Sequence, residues 1–113
     1  MKRIEAYIQV GKLDAVKQAL DDAGIQGMTC EQVRGYGHQM GRTEGFQGDR
    51  PAVNLLPKVR VMVVVKDSDL ERGIATIMSA AQTGEIGDGK IFVTEVVEAI
   101  RIRTGERGDA ALS

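Results

Sequence analysis

One pattern occurs twice in this chain and leaves few folds open to it: an alternating strand, an amphipathic helix and a second strand. In the first copy, Arg3 to Val10 place Ile4, Ala6, Ile8 and Val10 on one side, the period-two signature of a half-buried strand. The following run KLDAVKQALDDAG repeats Leu13, Val16 and Leu20 at helical spacing and stops at Gly24. MTCEQVRG, Met28 to Gly35, completes the unit as a strand. In the second copy KVRVMVVV, Lys58 to Val65, sets Val59, Val61, Val63 and Val65 on one face. Met62 and Val64 make its other face apolar enough to call for cover, as from another subunit. SDLE, Ser68 to Glu71, reads as a capping box opening a helix with Leu70, Ile74, Ile77, Met78 and Ala81 in one apolar stripe. KIFVTEVV returns as a strand and AIRIRTGER follows. Two such units predict an α+β, ferredoxin-like double βαβ fold: one antiparallel sheet, with both helices on one face. The 113 residues make one domain, 1–113.

Between the units lies a connection, residues 36–57, too long and too polar for a hairpin turn. It holds Gly37, Gly41, Gly45 and Gly48, so it builds no core of its own. Loops of this length in a compact domain are functional or disordered, and this one is the expected partner-binding segment. A net charge of -1 leaves no electrostatic footprint for nucleic acid or an anionic membrane. Cys30 is the single cysteine, which excludes an internal disulfide, fits a reducing compartment and reads by default as a buried small hydrophobe. His38 is the single histidine, so one chain cannot assemble a His/Cys metal cage. With no long apolar run and no signal-peptide pattern, the expected location is cytoplasmic.

The stretch TGEIGDGKIF, Thr83 to Phe92, comes close to a phosphate loop. Gly84 to Lys90 fit G-x-x-x-x-G-K, but Ile91 stands where such a loop needs the metal-binding Ser or Thr. The order is inverted as well, with a helix entering the glycines and a strand leaving them, so no helix N-terminus faces the phosphates. A different phosphate chemistry stays open. Gly84, Gly87 and Gly89 let backbone N–H groups converge into an anion nest over residues 82–90. Lys90 adds a charge, and Arg101 and Arg103 alternate on one side of an extended segment as two guanidinium forks. The plainer alternative is a glycine turn followed by a solvated basic edge strand.

Thr83 to Val93, TGEIGDGKIFV, resembles the C-terminal signature of the PII signal-transduction family. The likeness continues through IRIRTGER (Ile100 to Arg107) and earlier through KLD, GMT, LPKV and AAQTG, in register from Met1 to about Leu112. It implies a homotrimer that binds ATP or ADP in clefts between subunits, with 2-oxoglutarate joining ATP and Mg²⁺. By position, Gly87, Asp88, Gly89 and Lys90 would wrap the phosphates. Arg101 and Arg103 would reach in from the neighbour within the 101–113 segment, and Thr29, Gly35, Gly37 and Val64 would line the base and ribose pocket. Gln39 would ligate Mg²⁺, and Gln39, Gly41, Lys58 and Gly87 would hold 2-oxoglutarate, with Lys58 on a carboxylate.

The chain departs from the family in places. FQGDRP, Phe46 to Pro51, replaces the tyrosine-bearing loop motif. Pro51 has no hydroxyl, so no covalent modification is expected there, and Asp49 replaces a serine phosphorylated in some relatives. Gln47 stands for a channel-plugging arginine, His38 for a phosphate-binding arginine, Met40 for a lysine and Met62 for an acidic residue. Gln9-Val10-Gly11 takes the place of Lys-Pro-Phe. The leading expectation is a divergent PII-like regulator of a nitrogen-metabolism enzyme or transporter. The alternative is an adenylate or small-anion sensor outside nitrogen control, without a 2-oxoglutarate response. A slow ATPase lacks any nucleophile–base pair or carboxylate dyad. A purely structural trimer would leave the basic cluster without a task.

Overall fold

A computed structural model of the chain describes residues 1–36 and 55–113, together with the backbone of 46–47 and 50–51. The elements run β1 (Lys2–Ile8), α1 (Leu13–Asp22), β2 (Thr29–Gly35), the two-residue strands β3 (Phe46–Gln47) and β4 (Arg50–Pro51), β5 (Leu56–Val65), α2 (Leu70–Ala81) and β6 (Lys90–Glu95). The four long strands form one antiparallel sheet in the order β2-β5-β1-β6. Each βαβ unit therefore brackets a strand of the other, the ferredoxin-like interleaving expected from the repeat. Within the long connection, β3 pairs with β4 in a separate small ribbon, Phe46 opposite Pro51.

Alternation decides which face is covered. Ile4, Ala6 and Ile8 of β1 and Val59, Val61, Val63 and Val65 of β5 are buried, and they share one core with Val16 and Leu20 of α1 and Ile77 and Ala81 of α2. Both helices thus lie on one face, as β strands with period-two apolar residues require. The intervening residues Arg3, Glu5 and Tyr7 of β1 and Lys58, Arg60, Met62 and Val64 of β5 occupy the opposite, only half-buried face.

Four local expectations are corrected. Val10 does not extend β1, because the chain enters a 3-10 turn at Val10–Lys12 and leaves that side chain exposed. Ser68 does not cap α2. A 3-10 turn at Asp67–Asp69 precedes the helix, the cap position is Asp69, and its side chain makes no capping bond. The backbone N–H groups there bond backward within the turn, as Asp69 does to the Lys66 carbonyl at 2.9 Å. Cys30 is exposed rather than buried. It sits on β2, an edge strand with no buried residue, so the helix layer does not reach it. Finally, Arg101 and Arg103 do not share an extended segment. Residues 102–104 turn, an Ile100–Arg107 bridge closes the turn, and the Arg101 N–H donates to the Glu106 carbonyl at 2.8 Å. Strand-like alternation in the sequence misses this closure because the pairing of Ile100 with Arg107 is not written in the spacing of the two arginines.

Candidate functional site

The glycine stretch leaves α2 at Ala81 and enters β6 at Lys90, folding into a turn whose centre is one carboxylate. Asp88 accepts from the Thr83 N–H at 2.7 Å, the Thr83 hydroxyl at 2.5 Å and the Gly84 N–H at 2.9 Å. These bonds favour the charged form, the Thr83 hydroxyl most of all, and they hold the carboxyl below its ordinary value. Asp88 is thereby a turn-builder, its oxygens spent on the loop that carries it.

The turn is fastened to the sheet from two sides. Lys58 of β5 donates through Nζ to the Gly87 carbonyl at 2.8 Å, and Gln9, just past β1, donates to the same carbonyl at 3.4 Å and to Asp88 at 3.3 Å. Gly89 is forced by closeness to β1. It has a φ of +95°, and a Cβ there would stand 1.6 Å from the Tyr7 carbonyl oxygen.

Beside the turn, on the half-buried sheet face, opens a cleft of about 490 Å³. Gly35, Lys58, Gly87, Gly89 and Lys90, all predicted from sequence, line it together. Arg34 joins them, so the described lining carries three cations and no carboxylate. Lys90 has no ion-pair partner among the described residues. The apolar and aromatic part of the wall is Tyr7, Val33, Tyr36, Ile86 and Phe92, none of which is a site residue predicted from sequence. Tyr7 and Phe92 meet edge to face with centroids 6.0 Å apart and planes at 80°. The available signal was register: both are the residues that alternation turns away from the helices.

Thr29 and Val64 lie elsewhere. They border a smaller hollow of about 250 Å³ with Gln26, Gly27, Ala111 and Leu112. Thr29 and Gly35 are the two ends of β2, so the two groups stand about 20 Å apart along the strand. One copy of the chain brings Gly35 of the predicted base pocket to the glycine turn and leaves Thr29 and Val64 apart from it.

Arg101 is also occupied. Its Nη2 donates to the Ala110 carbonyl at 3.0 Å and to that of Ser113. Its Nε stands 3.0 Å from Glu106, near enough for an ion pair yet without the alignment of a hydrogen bond. Arg101 thus staples the short 3-10 turn Gly108–Leu112 back onto the hairpin, while Arg103 is exposed. Gly37, His38, Gln39 and Gly41 lie outside the described residues, as do the side chains of Gln47 and Pro51.

Fold and turn together define a ferredoxin-like α+β protein whose sheet carries a glycine-turn cleft lined by cations. The family described as nitrogen regulatory protein P-II matches residues 1–106. Nitrogen regulatory protein P-II of Rhodospirillum rubrum and that of Azospirillum brasilense are each 54% identical over 112 residues, spanning 99% of this chain and 100% of their own. Nitrogen regulatory protein P-II 1 of Escherichia coli K12 is 51% identical over the same shares. The chain belongs to the nitrogen regulatory P-II family. Among the described residues no helix is long and apolar enough to cross a membrane.

Proposed function

We propose that this chain is a PII-type signal-transduction regulator that binds ATP or ADP at the clefts of a homotrimer. Through residues 36–57 it passes the ligand state to a nitrogen-metabolism enzyme or transporter. The observation that carries this reading is the convergence of Arg34, Lys58 and Lys90 with the Gly87–Lys90 turn on one cleft free of carboxylates among its described lining. Such a wall favours a polyanion, and the backbone N–H groups of a glycine turn suit phosphate oxygens.

The separation of Thr29 and Val64 from the turn fits an assembly in which one copy supplies the phosphate turn and its neighbour the other wall. Arg103, exposed on the hairpin, is then the arm offered across the seam, with Arg101 beside it. Mg²⁺ would arrive on the triphosphate with Gln39 as its protein ligand, and Gln39, Gly41, Lys58 and Gly87 would receive 2-oxoglutarate. The metal offsets triphosphate charge that would otherwise repel a dicarboxylate. Regulation can use no more free energy than the ligand's differential affinity for the two states of the loop. The role is that of a cytoplasmic regulator and not of an enzyme.

Calorimetry at about 100 μM protein tests it, with ADP or ATP binding expected in the micromolar range, about -8 kcal/mol at 1 μM. Light scattering on the same sample reads the assembly. Absence of saturable heat with either nucleotide, or a stable monomer, rejects the proposal. A second reading, an adenylate or small-anion sensor outside nitrogen control, draws on the Lys58 ammonium already being donated to the Gly87 carbonyl. Titration of 2-oxoglutarate with and without Mg-ATP separates the two, and lack of coupling favours the second.

A further inference from the structure

We propose that the 3-10 turn Gly108–Leu112 is a lid on the Thr29–Val64 hollow, with Gly108 as its hinge and Arg101 as its latch. Three observations lead there. Ala111 and Leu112 line that hollow beside Thr29, Met62 and Val64. Up to Gly108 the chain is fixed, since the Gly108 N–H donates to the Ala99 carbonyl at 2.9 Å and to Glu98 at 3.2 Å. Beyond it, among the described residues, the only hydrogen bonds tying 109–113 to the rest of the chain come from Arg101, to the Ala110 and Ser113 carbonyls.

The chemistry of the latch sets what it can do. A single nitrogen, Nη2, makes both bonds, one hydrogen for each carbonyl, so its withdrawal frees both at once. Nε has no exposed surface and stands 3.0 Å from Glu106, so this edge of the guanidinium is turned in against the hairpin. Arg103, by contrast, is exposed and pairs with no carboxylate among the described residues, which leaves it the arm and Arg101 the latch. At the hinge φ is +70°, and no atom lies within 4 Å of the position a Cβ would take, so nothing packed around Gly108 resists rotation there. No residue of the turn belongs to the core, and Leu112 is only half-buried. Opening is then a local event that leaves the sheet and both helices intact.

This inference rests on the nucleotide reading for its effect on affinity, but the latch is testable without ligand. The variants are Arg101→Ala, which removes the latch, and Leu112→Ser, which weakens the lid's seat and leaves Arg101 in place. Both should keep the wild-type urea midpoint, since neither residue belongs to the core. Arg101 does not line the hollow, so any change there has to pass through the lid. In ligand-free protein, Arg101→Ala is expected to displace the Thr29 and Val64 methyl resonances and to speed amide exchange at Ala111 and Leu112. ADP affinity measured by calorimetry should fall about tenfold in both variants, as for a lid closed about a tenth of the time. Thr29 and Val64 resonances unmoved in Arg101→Ala overturn the proposal. A loss of ADP affinity in only one variant overturns it too, since that marks a direct ligand contact, and so does a loss in neither. Should the wild-type protein bind no ADP, the nucleotide reading falls by itself, and the Thr29 and Val64 resonances alone decide for or against the latch.

Discussion

Replacing Gly89 by alanine tests the central geometric claim about the turn, its contact with β1. Two costs act at this position. The first is conformational: φ is +95°, a region that L residues avoid at about 1–2 kcal/mol. The second is steric, since the new methyl would lie 1.6 Å from the Tyr7 carbonyl oxygen and 2.8 Å from its carbon. Neither is a side chain that can swing aside. Tyr7 pairs with Arg60 on β5 and with Lys90 on β6, so moving it loosens two ladders at once. Gly84 supplies the control. Its φ is +87°, yet no atom lies within 4 Å of the position a Cβ would take. Gly84→Ala should therefore lose only the conformational part, about 1 kcal/mol, whereas Gly89→Ala should lose about 3 kcal/mol or more. Urea unfolding of both variants at one matched protein concentration measures the difference, since midpoints of an assembling protein depend on concentration. Equal losses, within about 0.5 kcal/mol, would mean that β1 does not press on the turn and that Gly89 serves conformation alone.

Asp88→Asn gives a pH test. Thr83 and Gly84 hold the Asp88 carboxyl below its ordinary 3.8 in the folded chain, so folding favours the ionised form. Stability from a depressed carboxylate is complete above the unfolded value and is lost as pH falls through the folded one. The urea-midpoint gap between wild type and Asp88→Asn should be level from about pH 5 to 7 and close below about pH 4; a gap that widened toward acid would contradict the hydrogen-bond assignment. Arg101→Ala removes the staple on Ala110 and Ser113 and the partner of Glu106. Residues 108–113 should then exchange amide hydrogens faster and be trimmed sooner by protease while the urea midpoint barely moves, since none of these residues belongs to the core. Unchanged trimming would show that other contacts hold that segment.

Much of this was legible beforehand, for identifiable reasons. Valines at every second position from Val59 to Val65 admit one side to the core, and the structure buries all four. The helical stripe of α2 was right at Ile77 and Ala81, though Met78 at its edge is 47% exposed. Glycines between a helix and a strand forecast a turn with left-handed backbone, and Gly84, Gly87 and Gly89 all have positive φ. Failures gathered where a local pattern fits two different courses of the backbone. Ser68 and Glu71 have the spacing of a capping box, but the chain forms a 3-10 turn instead, in which the Asp69 and Leu70 N–H groups bond the Lys66 and Asp67 carbonyls. Arg101 and Arg103 alternate as a strand would, until the pairing of Ile100 with Arg107 folds them into a hairpin.

What the sequence determined by itself was periodicity, and with it the elements, their buried faces and the position of the bend that carries Lys90. Those properties reside in neighbours along the chain, whose side-chain directions follow from backbone geometry alone. Tertiary structure decided which distant groups meet. Lys58 from β5, Gln9 from the end of β1 and Gly87 from the turn converge only because antiparallel registry sets those strand ends side by side. Edge placement likewise decided that Cys30 faces solvent. Contacts between residues dozens of positions apart depend on sheet order, and sheet order is a property of the packed whole.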